Sequence, residues 1–144
     1  MASTGYNTGH GGSIAFSAGI AAFAAPFRKI GAVEHVLEKV ENTVLANTAT
    51  KSYLPGDVPD PGEFECEYAF DATMDHPVLL TKGTITITAP LETGQATAAN
   101  LAGTGFIMSR TAFPECATNG LQIGKIKCRF DGKTDPVLTV AVDS

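Results

Sequence analysis

Few residues in this chain could do chemistry, and they fall into three groups. Glu63, Glu65 and Glu67 alternate along one stretch, and neighbouring carboxylates can divide acid and base roles between them. Cys66, Cys116 and Cys128 could bind a metal or cross-link, and His10, His35 and His76 could ligate or move protons. None of these groups completes a constellation. The glutamates share one parity and would stand about 7 Å apart along a strand, which suits a solvated or cross-paired face better than a working acid pair. The cysteines are odd in number with no C-x-x-C spacing, and the histidines are scattered singly. A disulfide framework or zinc site is therefore not expected, and Cys66 and Cys128 read as buried thiols. His76 adjoins Asp75 but precedes Pro77, and a His-Pro pair in a loop reads as structural. Residues 9–12 (GHGG) have neither the preceding strand nor the following GK[ST] of a phosphate loop. Asp57 and Asp60 match no EF-hand spacing and read as turn caps. No aromatic–basic interleaving suggests a single-strand nucleic-acid groove. No enzymatic activity, metal or cofactor is expected.

The elements that carry these residues are more informative. Residues 55–62 (PGDVPDPG) hold three prolines and two glycines, which makes a shaped turn and excludes a helix. From residue 63 the pattern becomes strict alternation. Phe64, Cys66, Tyr68 and Phe70 take one face, and Glu63, Glu65 and Glu67 the other. Residues 125–130 (KIKCRF) repeat the pattern with the opposite sign. Ile126, Cys128 and Phe130 face in, and Lys125, Lys127 and Arg129 face out. If the two strands are neighbours, three carboxylates lie beside three cations, a small energy that still favours this pairing over its competitors.

The rest of the chain alternates short apolar runs with turn signals. Strands are expected at residues 13–17, 27–33, 83–90, 105–111, 121–130 and 136–142. Asn119-Gly120 and Asp131-Gly132 mark turns. Residues 18–26 read as a loop or distorted strand, and 45–54 as a polar connector. Residues 36–44 read as extended or helical: Val36, Val40 and Val44, four apart, suit a helix, as does Leu37 with Val40 and Val44, while the many β-branched residues and the alternation of Val36, Glu38, Val40 and Asn42 fit a strand. Residues 95–101 read as a short helix or loop, and 71–80 could hold one helical turn on either side of Pro77. The expected class is all-β and mainly antiparallel, a β-sandwich or flattened barrel with one short helix. The expected organisation is a flexible N-terminal arm over residues 1–12 and one domain over 13–144.

The chain has 144 residues, a net charge of −5 and only 17% charged residues. A chain of this length buries about 68–70% of its unfolded surface, enough for a core without staples. The acidic balance argues against gripping phosphates, and few charges suggest surface buried against something else. Residues 14–27 are too interrupted by Ser, Gly and Pro for a signal peptide or a membrane span.

The order of segments resembles the major tail tube proteins of long-tailed, non-contractile bacteriophages. Four stretches carry the resemblance: TGHGGSIAFS at 8–17, the block at 51–70 whose turn launches the alternating strand, GTITITAPLETG at 83–94, and GKIKCRFDGK at 124–133. Together they span about half the chain. The Ala-rich residues 18–25 are an insertion relative to that pattern. The resemblance implies a structural subunit whose six copies close into a ring, the rings stacking into a hollow tail tube through which genomic DNA passes without specific binding. It implies no catalytic site, no cofactor and no membrane. The implied partners are other copies, with tape-measure and terminator or initiator proteins. The implied location is the virion tail, after synthesis in the host cytoplasm. Glu63, Glu65 and Glu67 are then candidates to line the lumen. Lys125, Lys127 and Arg129 are candidate cross-strand or inter-subunit partners, and in the first case they would neutralise that wall. Tyr53, Pro55, Asp57 and Asp60 are candidates for ring stacking. The inner tube of a contractile injection system shares the same plan. A small-ligand-binding β-domain is the alternative from another class, and it would need a cluster of exposed aromatics on one sheet face.

Overall fold

The computed structural model describes residues 9–18, 26–46, 49–71, 73, 79, 81–133 and 136–143. The chain is all-β, with eleven strands among these residues: β1 (Ser13–Ala18), β2 (Phe27–Ile30), β3 (Lys39–Glu41), β4 (Tyr53–Pro55), β5 (Glu63–Ala69), β6 (Gly83–Thr88), β7 (Gln95–Thr97), β8 (Asn100–Arg110), β9 (Ile123–Phe130), β10 (Val137–Thr139) and β11 (Val142–Asp143). Six of them form one antiparallel sheet in the order β1-β6-β8-β9-β5-β2, and β10 adds to it alongside β8. Two short ribbons, β3–β4 and β7–β11, stand outside it.

The alternation of β5 and β9 sets the centre of this sheet. The two strands are adjacent and antiparallel, with Glu63, Glu65 and Glu67 opposite Arg129, Lys127 and Lys125. One face therefore carries the charges. The other carries Phe64, Cys66, Tyr68, Ile126, Cys128 and Phe130, all buried. Ile85 of β6, Ile107 of β8 and Phe16 of β1 complete the core. The sheet is curled and not closed. Its end strands β1 and β2 touch without pairing, and the rings of Phe16 and Phe27 meet there at 6.3 Å.

Curling brings strands together more tightly than ordinary side chains allow, and glycine supplies the room. Gly103 lies under the ring of Phe130, Gly105 under Ile85, and Gly124 under the ring of Tyr68. A bulge between Ile107 and Ser109 shifts the β8–β9 register by one residue, so Ile107 faces Cys128 while Arg110 lies opposite Ile126.

Several expectations are corrected. Residues 95–101 form β7 and the start of β8, and β8 begins five residues before the expected strand at 105. Their alanine-rich composition tolerates a helix, but pairing with β6 and β10 on both sides of β8 overrides it. Residues 36–44, left open between helix and strand, take the extended alternative with β3 at their centre, and the polar connector at 45–54 ends in the strand that pairs with β3. The C-terminal strand is two pieces, β10 and β11, on different sheets. No helix occurs among the described residues. The turn considered near His76-Pro77, most of the arm at residues 1–12, and most of 18–26 lie outside them.

Candidate functional site

The described residues offer three surfaces out of the ordinary: a charged sheet face, an apolar hairpin and an apolar C-terminal end beside an open groove.

On the charged face, extended geometry puts the side chains of alternate residues in two facing rows. The ammonium of Lys125 lies 3.6 Å from Glu67 and 3.9 Å from Glu65. Lys127 reaches diagonally to Glu63 at 3.3 Å. Arg129 donates Nη1 to Glu63 at 3.3 Å and Nη2 to both carboxylate oxygens of Asp60 at 2.9 and 3.0 Å. Lys29 of β2 stands opposite Glu67. Four carboxylates (60, 63, 65, 67) thus pair with three cations (125, 127, 129), and with Lys29 in register beside Glu67 the face is close to neutral. Such exposed pairs add little stability each and are weakened by salt. Their consequence is electrostatic: the glutamates do not present bare negative charge. The Asp60 carboxyl is held below its ordinary value of 3.8, first by the Gly62 N–H and then by Arg129.

Asp60 and Arg129 are brought together although they come from different groups of candidates. Tyr53 and Pro55 lie on β4, and Asp57 sits exposed in the bend beyond. Tyr53 packs under the ammonium of Lys39 at 4.7 Å. Tyr53 and Pro55 lie on a strand that contacts only β3 among the described strands, and Asp60 is the residue of this group that bonds to the charged face.

The apolar surface went unremarked because its residues are spread over two ambiguous segments. Val40 and Leu54 face each other across β3–β4, and Val36, Leu37, Val44, Leu45 and Val58 extend the same hairpin, all exposed. The signal was the density of Val and Leu in 36–45. A two-stranded ribbon has no second layer to bury such residues. Val137, Leu138, Val140 and Val142 at the C-terminal end are exposed too. Beside them runs an open groove of about 700 Å³, bordered by Gly11, Phe27, Ile30, Pro90, Leu101 and Leu138. Contiguous exposed apolar patches are characteristic of surfaces that meet a protein, a membrane or a ligand.

Little else is equipped for chemistry. Among the described residues no three His, Cys, Asp or Glu side chains group as a metal site. His10 and His35 are exposed and apart, and the Asp75–His76 pair lies outside the described residues. Cys66 and Cys128 are buried free thiols, and burial pushes both up to about 12. Cys116 is exposed, with its Sγ accepting from Gln122 Nε2 at 3.3 Å. A thiol reagent at mildly alkaline pH should therefore titrate Cys116 alone in the folded protein, and all three cysteines once the chain is unfolded. Rapid native labelling of Cys66 or Cys128 would mean that the β5–β9 core opens readily.

No protein-family model matches the sequence, and no curated relative does. By structure the chain is similar to one in the cryo-EM structure of the sheath/tube terminator of an extracellular contractile injection system, PVC, in its extended state. The TM-score is 0.70 at 12% identity, over 94% of this chain and 97% of that one. The two chains share their fold from end to end, so this curled antiparallel sheet is an architecture that a contractile injection system also uses.

Proposed function

We propose that this protein is a structural subunit of a tail tube, with copies closing into rings, six to a ring, that stack into a hollow conduit for DNA. The observation that carries the reading is the fold match along the whole chain to a sheath/tube terminator structure. Two features of the molecule support it. Apolar residues exposed on the hairpin and at the C-terminal end lie on separate parts of one chain. Two different patches on one subunit are what a head-to-tail contact needs to build a ring or a filament. The charged face fits a conduit wall in a modified way. Its cations Lys125, Lys127 and Arg129 are paired with neighbouring carboxylates, which leaves the face little net positive charge to hold phosphates by counterion release. In this reading Glu63, Glu65 and Glu67 line the lumen as members of ion pairs, and the wall is non-adhesive because it is neutralised. The role is non-catalytic, and the partners are other copies together with the proteins that start, measure and end the tube.

One observation favours a second form of this reading. The matching structure is a terminator of a contractile system, which would make this chain a single capping ring in place of a long tube. Negative-stain microscopy of the purified protein across concentration and salt separates the cases. Long hollow tubes with six-fold rings support the tail tube, and isolated rings that never stack support the terminator. Monomer at every concentration, verified by light scattering, would sink both. The ligand-binding alternative finds no aromatic platform: the exposed rings among the described residues are Tyr53 and Phe113, on separate segments. No helix among the described residues is long and apolar enough to cross a membrane.

A further inference from the structure

The hairpin β3–β4 is joined to the molecule in an unusual way. Its two strands contact each other and no other strand among the described residues. What holds it is its base. Val36 and Asp60 exchange both backbone hydrogen bonds, at 3.3 and 2.7 Å. Gly62 donates its N–H to Asp60 Oδ1 at 2.8 Å and accepts from the Phe130 N–H at 3.2 Å. The Asp60 carboxylate then closes on the guanidinium of Arg129 with both oxygens. Asp60 sits between Pro59 and Pro61: each ring fixes its own φ, and Pro61 further holds the preceding Asp60 in extended backbone. Gly62, at φ 96°, lies so close to the Glu34 carbonyl that a Cβ would come within 2.4 Å of it. The base is therefore stiff, and a small rotation there would swing the whole ribbon.

We infer that Asp60 and Arg129 form a clamp that sets the direction in which the hairpin projects from the sheet, so presenting its apolar stripe to a neighbouring copy; the purpose assigned to the stripe rests on the tube-subunit reading. The charge pair suits this task because its two halves belong to different bodies. Asp60 moves with the hairpin base, while Arg129 is fixed in β9 at the centre of the sheet. A planar guanidinium that meets both carboxylate oxygens constrains angle as well as distance, which an ammonium would not. Glu63 holds Nη1 of the same guanidinium and so fixes its orientation. The charged groups around Asp60 are Arg129 from β9, Glu63 from β5 and Glu34 from the segment after β2. Because the folded Asp60 carboxyl lies below 3.8, the clamp is complete above that value. It is lost only as the pH falls through the lower folded value. It is a permanent brace at neutral and mildly acid pH.

The test measures hairpin direction in the soluble chain. Spin labels on the exposed Cys116 and on a Leu45→Cys variant at the hairpin end report the distance between hairpin and sheet. Asp60→Asn keeps the shape and removes the charge. It is expected to broaden that distance distribution and shift its mean, and to speed exchange of the Val36 and Phe130 amides about two- to fivefold. The amides of Asn42 and Gly56, bonded within the hairpin, should not change. Arg129→Lys should fall between the two, and Lys125→Gln, which breaks pairs elsewhere on the same face, should match the wild type. An unchanged distance distribution in Asp60→Asn overturns the clamp. So does faster exchange at Asn42 and Gly56, since the hairpin would then be melting and not swinging. Wild-type protein that forms no rings would remove the tube reading, while the distance measurement would still decide the clamp.

Discussion

Phe130→Ala is expected to destabilise the protein by about 3–5 kcal/mol, the largest effect of any single truncation considered. Phe130 ends β9 and is wholly buried. Its ring meets that of Phe64 at 5.8 Å and lies directly over Gly103. A lost aromatic ring leaves a cavity whose cost depends on how far the surroundings collapse into it. Here one wall is a glycine backbone within a paired strand, which has no side chain to move in. The loss belongs at the upper end of the range for that reason. Against a total stability of about 5–15 kcal/mol, it should lower the thermal midpoint by roughly 6–20 °C. Denaturant titration should show a lower midpoint at unchanged slope. Phe113 serves as the control: it is 69% exposed, and its truncation should cost far less. Equal effects at the two positions would mean that Phe130 does not sit in the core as described.

Gly124→Ala should also destabilise, by about 1–3 kcal/mol, although the general trend points the other way. Within a strand, alanine is ordinarily preferred to glycine by roughly 0.5–1 kcal/mol on backbone entropy. At this site a Cβ would lie 2.4 to 2.6 Å from Cζ, Cε2 and Oη of Tyr68. Tyr68 cannot step aside cheaply, being fully buried with its ring edge-on to Phe27 at 6.1 Å. Packing therefore outweighs propensity. A smaller partner should relieve the clash, so Gly124→Ala combined with Tyr68→Leu should cost less than the sum of the two single changes. A neutral or stabilising Gly124→Ala would show that the ring has room to move.

Both effects depend on which residues face each other across strands, and this is where sequence and structure divide. Period-two alternation is a local property, so the two faces of residues 63–70 and 123–130 are readable from the chain alone. Their opposite charge patterns favour placing the two side by side, but the adjacency itself is seen only in the structure. The turn residues are local as well. Gly94 and Gly132 take positive φ where a strand must reverse, and Asp131 caps its own turn by accepting the Lys133 N–H at 3.0 Å. An all-β antiparallel class follows from these features without any coordinates.

The remainder was settled at a distance. Residues 36–44 satisfy helical and extended periods together, and the choice fell to residues 53–60, which pair with them. Residues 95–101 have a composition that leans to helix, yet two flanking strands draw residues 100–102 into the sheet. The ion pairs likewise follow the reach of side chains and not the register alone: Lys127 stands opposite Glu65 but pairs with Glu63. That Asp60 joins Arg129, 69 residues away, depends on the β5–β9 pairing, which sets Glu63, three residues after Asp60, directly opposite Arg129. The sequence by itself determined the faces, the turns and the class. Only the tertiary structure decided which faces meet, which carboxylates are neutralised and which apolar residues stay uncovered, because these are contacts between segments far apart in the chain, and no local period encodes them.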